Sequence, residues 1–289
     1  MSTVGIFGAS GNIGRCLLPL ICEEPTIEEL RIVTRRPEAI ESEVNHAKTL
    51  GKYVVVQKGD YCNDEAAVVE ALRGCSRLFV VLPQSLSSQE MIQRGKFLVD
   101  CAVKAKVESI VRISSLGIDD KSINFVGSQG PLGEAHITIE EYCEKVGLKQ
   151  VSLRPTSLFS NINFNVEEIK SNFTISTPLG NSARVNWVSC EDVAKVAAKV
   201  LVAKQWDEFG KIIDVTGPSE NTLGAQEMAK IISVSVNKPV EYRETDVPPV
   251  PDYAGLWEFL RKGGYDCHCD NVEKITGSPG QKFSDIKII

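Results

Sequence analysis

The 289-residue sequence contains no apolar run approaching the roughly 18–20 residues that span a bilayer, so nothing in it reads as a membrane helix. The longest apolar candidates, such as Leu78 to Pro83, have the length of a buried strand. A cationic excess is also missing. Lys and Arg total 32 against 38 Asp and Glu, a net charge of −6 with His neutral. That balance argues against a dedicated nucleic-acid binder, which has to displace counterions from phosphate. No basic stretch followed by an apolar one opens the chain; it runs directly into Val4-Gly5-Ile6-Phe7, and no secretory signal is expected. Internal repeats and low-complexity tracts are absent as well.

What remains describes a folded chain. Hydrophobic residues make up 43% and charged residues 24%, a mixture able to bury a core, so disorder is not expected. At roughly 150 residues per domain the length fits about two domains, or one α/β domain with an appended lobe. Nine cysteines are an odd number in a chain large enough to build its own core. Cys16, Cys22, Cys62, Cys75, Cys101, Cys143 and Cys190 sit among apolar neighbours and read as free thiols of a reducing compartment, so a cytoplasmic location is expected. Cys267-His268-Cys269 is the one cluster with metal-ligand character. Alternate residues of an extended segment face opposite ways and no second ligand pair lies nearby, so no metal is expected.

Short β-branched runs alternate with amphipathic stretches through the first 155 residues. Strands are predicted at Thr3–Gly8, Leu30–Thr34, Tyr53–Gln57, Arg77–Leu82, Ser109–Ser114 and Gln150–Arg154, and helices near Ile13–Cys22, Glu65–Arg73, Gln89–Ala105 and Glu134–Val146. Strict alternation implies right-handed crossovers and a doubly wound parallel sheet of Rossmann type. Residues 1–155 are therefore assigned to a dinucleotide-binding domain. Residues 156–289 are assigned mainly to a smaller α/β substrate lobe interleaved with it. In that half a polar, Asn-rich segment spans Ser160–Asn172, and strands are predicted near Phe173–Thr177, Arg184–Val188, Lys211–Val215 and Val240–Arg243. Ser189 is expected to cap one helix, a second runs from about Leu223 to Val234, and Val247-Pro248-Pro249-Val250-Pro251 forms a stiff connector.

Gly8-Ala9-Ser10-Gly11-Asn12-Ile13-Gly14 joins the first strand to the first helix. Gly8 suits the tight turn, Gly11 lets backbone approach a pyrophosphate, and Gly14 permits close helix–strand packing. Gly8, Ser10, Gly11, Asn12 and Ile13 are the expected phosphate contacts, through amides at the helix start. The second strand ends Thr34-Arg35-Arg36-Pro37, with none of the acid that holds a ribose 2′-hydroxyl. Two guanidinium groups suit a 2′-phosphate, so Arg35 and Arg36 point to NADP(H). Asp60 either borders the adenine or caps the helix that follows. Leu82, Pro83 and Ser114 close their strands on the side where ligands of open α/β sheets lie, and they are placed at the nicotinamide.

The sequence resembles the NmrA-like branch of the atypical short-chain dehydrogenases/reductases. The glycine motif, Thr34-Arg35-Arg36-Pro37, Gly59-Asp60, Ser114-Ser115-Leu116-Gly117, Glu140 with Gly147-Leu148, Leu153-Arg154-Pro155-Thr156 and Trp187 to Ala194 carry the resemblance, with Lys274-Ile275-Thr276-Gly277 and Phe283 at the far end. It implies a Rossmann domain, NADP(H), a smaller substrate lobe, and Thr156 on the cofactor side. The family includes quinone reductases, triphenylmethane dye reductases, fungal iminium reductases and redox-sensing regulators that bind the cofactor without turnover.

Typical short-chain dehydrogenases use Tyr-x-x-x-Lys, yet Tyr53, Tyr61, Tyr142, Tyr242, Tyr253 and Tyr265 all lack a lysine four residues on. The expected helix offers His136-Ile137-Thr138-Ile139-Glu140 instead, with both ionisable groups on one face. It resembles the His-x-x-x-Glu of the quinone and dye reductases. His136, titrating near neutral pH, either donates a proton to the substrate or hydrogen-bonds it, or is a structural partner of Glu140. His46 and His268 read as surface residues. The segment from Leu116 to Leu132, with Asp119-Asp120 and Lys121, is a glycine-rich lid or a plain loop. Ser115, Phe159, Asn161 and Trp187 are the expected substrate contacts, although core packing explains most such aromatics. The resulting expectation is an NADPH-dependent reductase of a quinone, enone or iminium, acting as a monomer or homodimer on a small molecule. A non-catalytic NADP(H) sensor is the competing class.

Overall fold

The computed structural model describes residues 2–59, 64–83, 85–119, 129–248 and 251–287. Its strands are β1 (Ser2–Phe7), β2 (Ile27–Thr34), β3 (Tyr53–Lys58), β4 (Arg77–Val80), β5 (Ser109–Ile113) and β6 (Lys149–Pro155). They continue with β7 (Ser157–Leu158), β8 (Thr174–Thr177), β9 (Arg184–Val188), β10 (Ile212–Val215), β11 (Thr222–Gly224) and β12 (Glu241–Glu244). The helices are α1 (Asn12–Glu23), α2 (Glu41–Thr49), α3 (Glu65–Leu72), α4 (Ser88–Lys104) and α5 (Pro131–Lys145). After them come α6 (Val166–Asn172), α7 (Cys190–Val202), α8 (Ala225–Val236), α9 (Ala254–Arg261) and α10 (Asn271–Thr276).

Val4, Ile6 and Phe7 of β1, Leu30, Ile32 and Val33 of β2, and Leu78 and Phe79 of β4 are buried on both strand parities. Such strands need cover on both faces, which a parallel sheet with crossover helices supplies. The main sheet has the order β10-β6-β5-β4-β1-β2-β3. Every pairing from β3 across to β6 is parallel. β10 runs alongside β6 in the same sense, with the Ser152 N–H on the Lys211 carbonyl and the Thr156 N–H on that of Val215. The chain order reverses between β1 and β4, the switch point at which open α/β sheets bind ligands.

Helix starts follow local chemistry. Asp64 accepts the Ala67 N–H at 2.9 Å and so caps α3, the role the sequence had offered to Asp60. Asp60 itself lies outside the described residues, as do Cys62, Asp120 and Lys121. Ser87 and Glu90 form a reciprocal capping box on α4, and Ser189 accepts the Asp192 N–H at the start of α7.

Several expectations shift. β4 stops at Val80, leaving Leu82 and Pro83 in the loop beyond it. Ile212–Val215, expected in the lobe, completes the main sheet. Leu223 lies in a short strand, and the helix starts at Ala225. The Asn-rich segment is helical: a 3-10 run Phe159–Asn165 leads into α6, because Ile162 and Ile169 supply buried anchors that its polar composition hid. α2 escaped notice because only Val44 and Ala47 of its nine residues are buried.

Two compact units emerge. The first comprises Met1–Ser114, Ala135–Leu153 and Val193–Ile213; the second comprises Ser115–Glu134, Arg154–Asp192 and Asp214–Ile289. Within the second, β9 lies between β7 and β11, β8 pairs with β12, and Trp187, Phe259 and Phe283 lie in one apolar core with Leu223, Met228 and Ile232. Asn186 is the polar hub of that unit. Its Oδ1 accepts from Thr156 Oγ1 at 3.1 Å and the Gly217 N–H at 2.8 Å, while Nδ2 donates to Gly217 O, Pro218 O and Thr222 Oγ1. Asn186→Ala strands several of these buried groups, each worth about 1–3 kcal/mol when left unsatisfied. A loss on the order of 3 kcal/mol is expected in urea unfolding, and a change below about 1 kcal/mol would contradict the hub role.

Candidate functional site

The glycine turn sits directly after β1, at the switch point. Gly8 has φ +89, and a Cβ on it would lie 2.4 Å from Val81 Cγ1. A Cβ on Gly14 would lie 2.1 Å from the Gly8 carbonyl oxygen, so α1 presses against the turn as only glycine allows. α1 then begins with Gly11 at its N-cap, no capping side chain and no acidic residue in its first turn. The first amides of the helix therefore have neither an intrahelical acceptor nor a capping side chain, and carry the positive end of the dipole, an arrangement suited to a phosphate. Asn12 is exposed there; the Ile13 side chain is buried in the core, which leaves only its backbone N–H to offer.

The end of β2 is stitched to this turn. Thr34 Oγ1 donates to Ser10 Oγ at 3.1 Å, the Arg36 N–H donates to Thr34 Oγ1, and Arg36 Nη2 reaches the Ser10 carbonyl at 3.4 Å. The guanidinium of Arg36 is thereby brought onto the glycine turn, and both Arg35 and Arg36 are exposed. Leu82 and Pro83 are half-buried in the loop after β4.

Behind Ser114, which follows β5, lies a buried polar network. Arg112 Nη1 donates to Glu140 Oε1 at 3.2 Å and Ser152 Oγ at 3.4 Å, and Nη2 donates to His136 Nδ1 at 3.1 Å. Ser114 Oγ donates to the same Glu140 oxygen at 2.7 Å, and Gln150 Nε2 donates to the Glu140 carbonyl. The expected His136–Glu140 face exists, but both side chains converge on an arginine that was not anticipated. Arg112 was nevertheless visible as a charge inside the apolar strand Ser109-Ile110-Val111-Arg112-Ile113, where a buried cation requires a partner. Nearby Cys143 has its thiol pushed up to about 11 by burial, against the pull of Arg112. Cys22, Cys75 and Cys101 are likewise raised by burial and stay protonated, consistent with thiols used as small hydrophobes.

In the second unit, Ser115 Oγ donates to Gln129 Oε1 at 2.8 Å and lies 2.7 Å from the Tyr265 hydroxyl. Burial pushes Tyr265 up to about 12, with the bonds to Ser115 and Gln129 opposing. Thr156 is buried and spends its hydroxyl hydrogen on Asn186. Phe159 and Trp187 both pack on Phe283, with ring centroids 5.1 and 5.2 Å away, so their aromatic contacts are with the lobe core. Asn161 is half-buried. Asp119 pairs with the buried Arg154 at 2.9 Å. His46 and His268 are half-exposed beside Glu23 and Asp270. Among the described residues no helix is long and apolar enough to cross a membrane, and no three His, Cys, Asp or Glu side chains gather as a metal set.

The model of the NmrA-like family matches residues 1–251. Prestalk A differentiation protein A of Dictyostelium discoideum is 28% identical over 179 residues, 61% of this chain, and the match spans about half (52%) of that relative. The NADPH-dependent quinone oxidoreductase of Escherichia coli, solved with NADPH, superposes with a TM-score of 0.78 at 19% identity, covering 98% of this chain and 97% of that one. Nmra, a negative transcriptional regulator, superposes with a TM-score of 0.72 at 16% identity, covering 98% and 94%. These two likenesses establish the shared fold.

The Arg112 network makes a stability prediction. Glu140→Leu leaves a guanidinium buried without its carboxylate and is expected to cost about 3–5 kcal/mol. Ser114→Ala removes one neutral donor and should cost about 1 kcal/mol. Chemical denaturation of both variants checks the ordering; equal losses would contradict it.

Proposed function

The chain belongs to the NmrA-like family, and from that premise we propose that it binds NADP(H) and reduces a small conjugated electrophile, a quinone, enone or iminium. The observation that carries this reading is the combination at the switch point: an uncapped helix start after a glycine turn, with Arg36 drawn onto that turn and no acid following β2. The residues fit the cofactor. Gly8, Ser10, Gly11, Asn12 and Ile13 would hold the pyrophosphate through backbone amides, Arg35 and Arg36 would take the 2′-phosphate, and Leu82, Pro83, Ser114 and Thr156 would border the nicotinamide. The bound cofactor supplies the hydride.

The protein's own part is then orientation and desolvation, which suffices for electrophiles of this class. The half-buried Asn161 and Phe159 are the proposed substrate-side residues, with the buried Ser115 and Trp187 behind them. His136, on α5, is the group proposed to meet a heteroatom of the substrate. A chain that binds NADP(H) as a sensor would use the same phosphate site and leave His136 idle.

Two measurements test the reading. Replacing Arg35 and Arg36 together by alanine should weaken NADPH by about tenfold or more, with NADH changed far less. Equal losses would overturn the 2′-phosphate assignment. Cofactor oxidation at 340 nm against a panel of quinones, enones and iminium ions should show turnover. Tight NADPH binding with none would convert the reading to a sensor.

A further inference from the structure

We propose that Arg112 is a positioning residue that fixes the tautomer and charge of His136. A guanidinium has five donors and no acceptor. At 3.1 Å from His136 Nδ1, Arg112 Nη2 can only donate, so Nδ1 is the acceptor and the ring hydrogen sits on Nε2. Protonating the ring would abolish that bond and set an imidazolium against a fixed cation in a site where both side chains are buried. His136 is thereby held as the neutral Nε2–H form.

The rest of the network holds Arg112 in place for this role. Its Nη1 is taken by Glu140 Oε1 and Ser152 Oγ, and Ser152 in turn donates to Gln150 Oε1. Arg112 of β5 thus meets His136 and Glu140 of α5 and Ser152 of β6, while Gln150 of β6 donates to the Glu140 carbonyl. Glu140 compensates the guanidinium at Nη1, and Nη2 donates to the imidazole.

The consequence, which rests on the reductase reading only for what Nε2 meets, is a change in the chemistry assigned to His136. A neutral imidazole is a hydrogen-bond donor able to stabilise charge developing on a substrate oxygen or nitrogen, without first titrating. The expectation of a histidine exchanging its proton near neutral pH is replaced by one that stays neutral.

Imidazole nitrogen–proton correlation spectra of the full chain labelled with ¹⁵N-histidine provide the test. Only three histidines are present, and the half-exposed His46 and His268 serve as internal references. Between about pH 5.5 and 8 His136 should keep the Nε2–H pattern. An Nδ1–H pattern, or titration of His136 within that range, would overturn the proposal on the unmodified protein. Arg112→Met should let His136 titrate or lose its tautomer preference, leaving His46 and His268 unchanged; a His136 spectrum unaltered in the folded variant would count against Arg112. Should turnover be found, kcat of the parent should stay flat over that pH range and fall at least about fivefold in Arg112→Met, with the NADPH KM unchanged. A locked His136 in a chain without turnover would sink the reductase reading and leave the Arg112 assignment standing. Turnover with a titrating His136 would do the reverse.

Discussion

A cation in the middle of a buried strand has to be answered within reach, and the answer organises one face of the first unit. Arg112 stands on β5 where neighbours on both sides are apolar, so desolvation has to be offset by partners rather than by water. Glu140 and His136 from α5 and Ser152 from β6 provide them, binding helix to sheet at a defined register. Hydrophobic burial alone would tolerate some sliding of α5 along the sheet. Directional bonds to a planar fork do not, because each fixes an atom rather than an area. Ser114, at the mouth of β5, is tied to the same carboxylate, so the loop side of the sheet inherits the register of its interior.

The glycine turn depends on a different constraint, close approach. Gly14 lets α1 meet the Gly8 carbonyl, and Gly8 lets the turn lie on Val81. The helix start is then presented without a cap or acid of its own. Two features that would weaken an ordinary helix become assets where an anion completes it. Arg36 adds charge at the same spot through the Ser10 carbonyl, so main-chain donors and a side-chain cation meet at one turn.

Much of this was legible in the sequence, and the reasons are specific. Strands buried on both faces advertise themselves by apolar residues at every position, and glycines spaced this way between a first strand and a first helix mark a turn that backbone and phosphate must both approach closely. Arg36 could be read because it replaces an acid that the fold otherwise wants. What escaped was polar chemistry between segments distant in sequence. Asn186 and Tyr265 belong to networks whose partners lie up to 150 positions away, and no local period encodes them. Trp187 and Phe159 showed the opposite difficulty: aromatic composition does not distinguish a ring that faces a ligand from one that meets Phe283. His136 was found by position on its helix, whereas its tautomer depends on a donor from another strand.

The placement of β10 at the edge of the main sheet bears on how the chain is made. The first unit is assembled from three stretches, and its last, Val193–Ile213, is synthesised only after every strand from β1 to β9. Until β10 arrives, β6 presents an unpaired parallel edge, the surface through which partly folded sheets recruit strands from other chains. A nascent chain long enough to hold the whole glycine turn and every strand from β1 to β6 is therefore still unfinished along the β6 edge. Its vulnerable interval during translation ends when Ile212–Val215 joins the sheet.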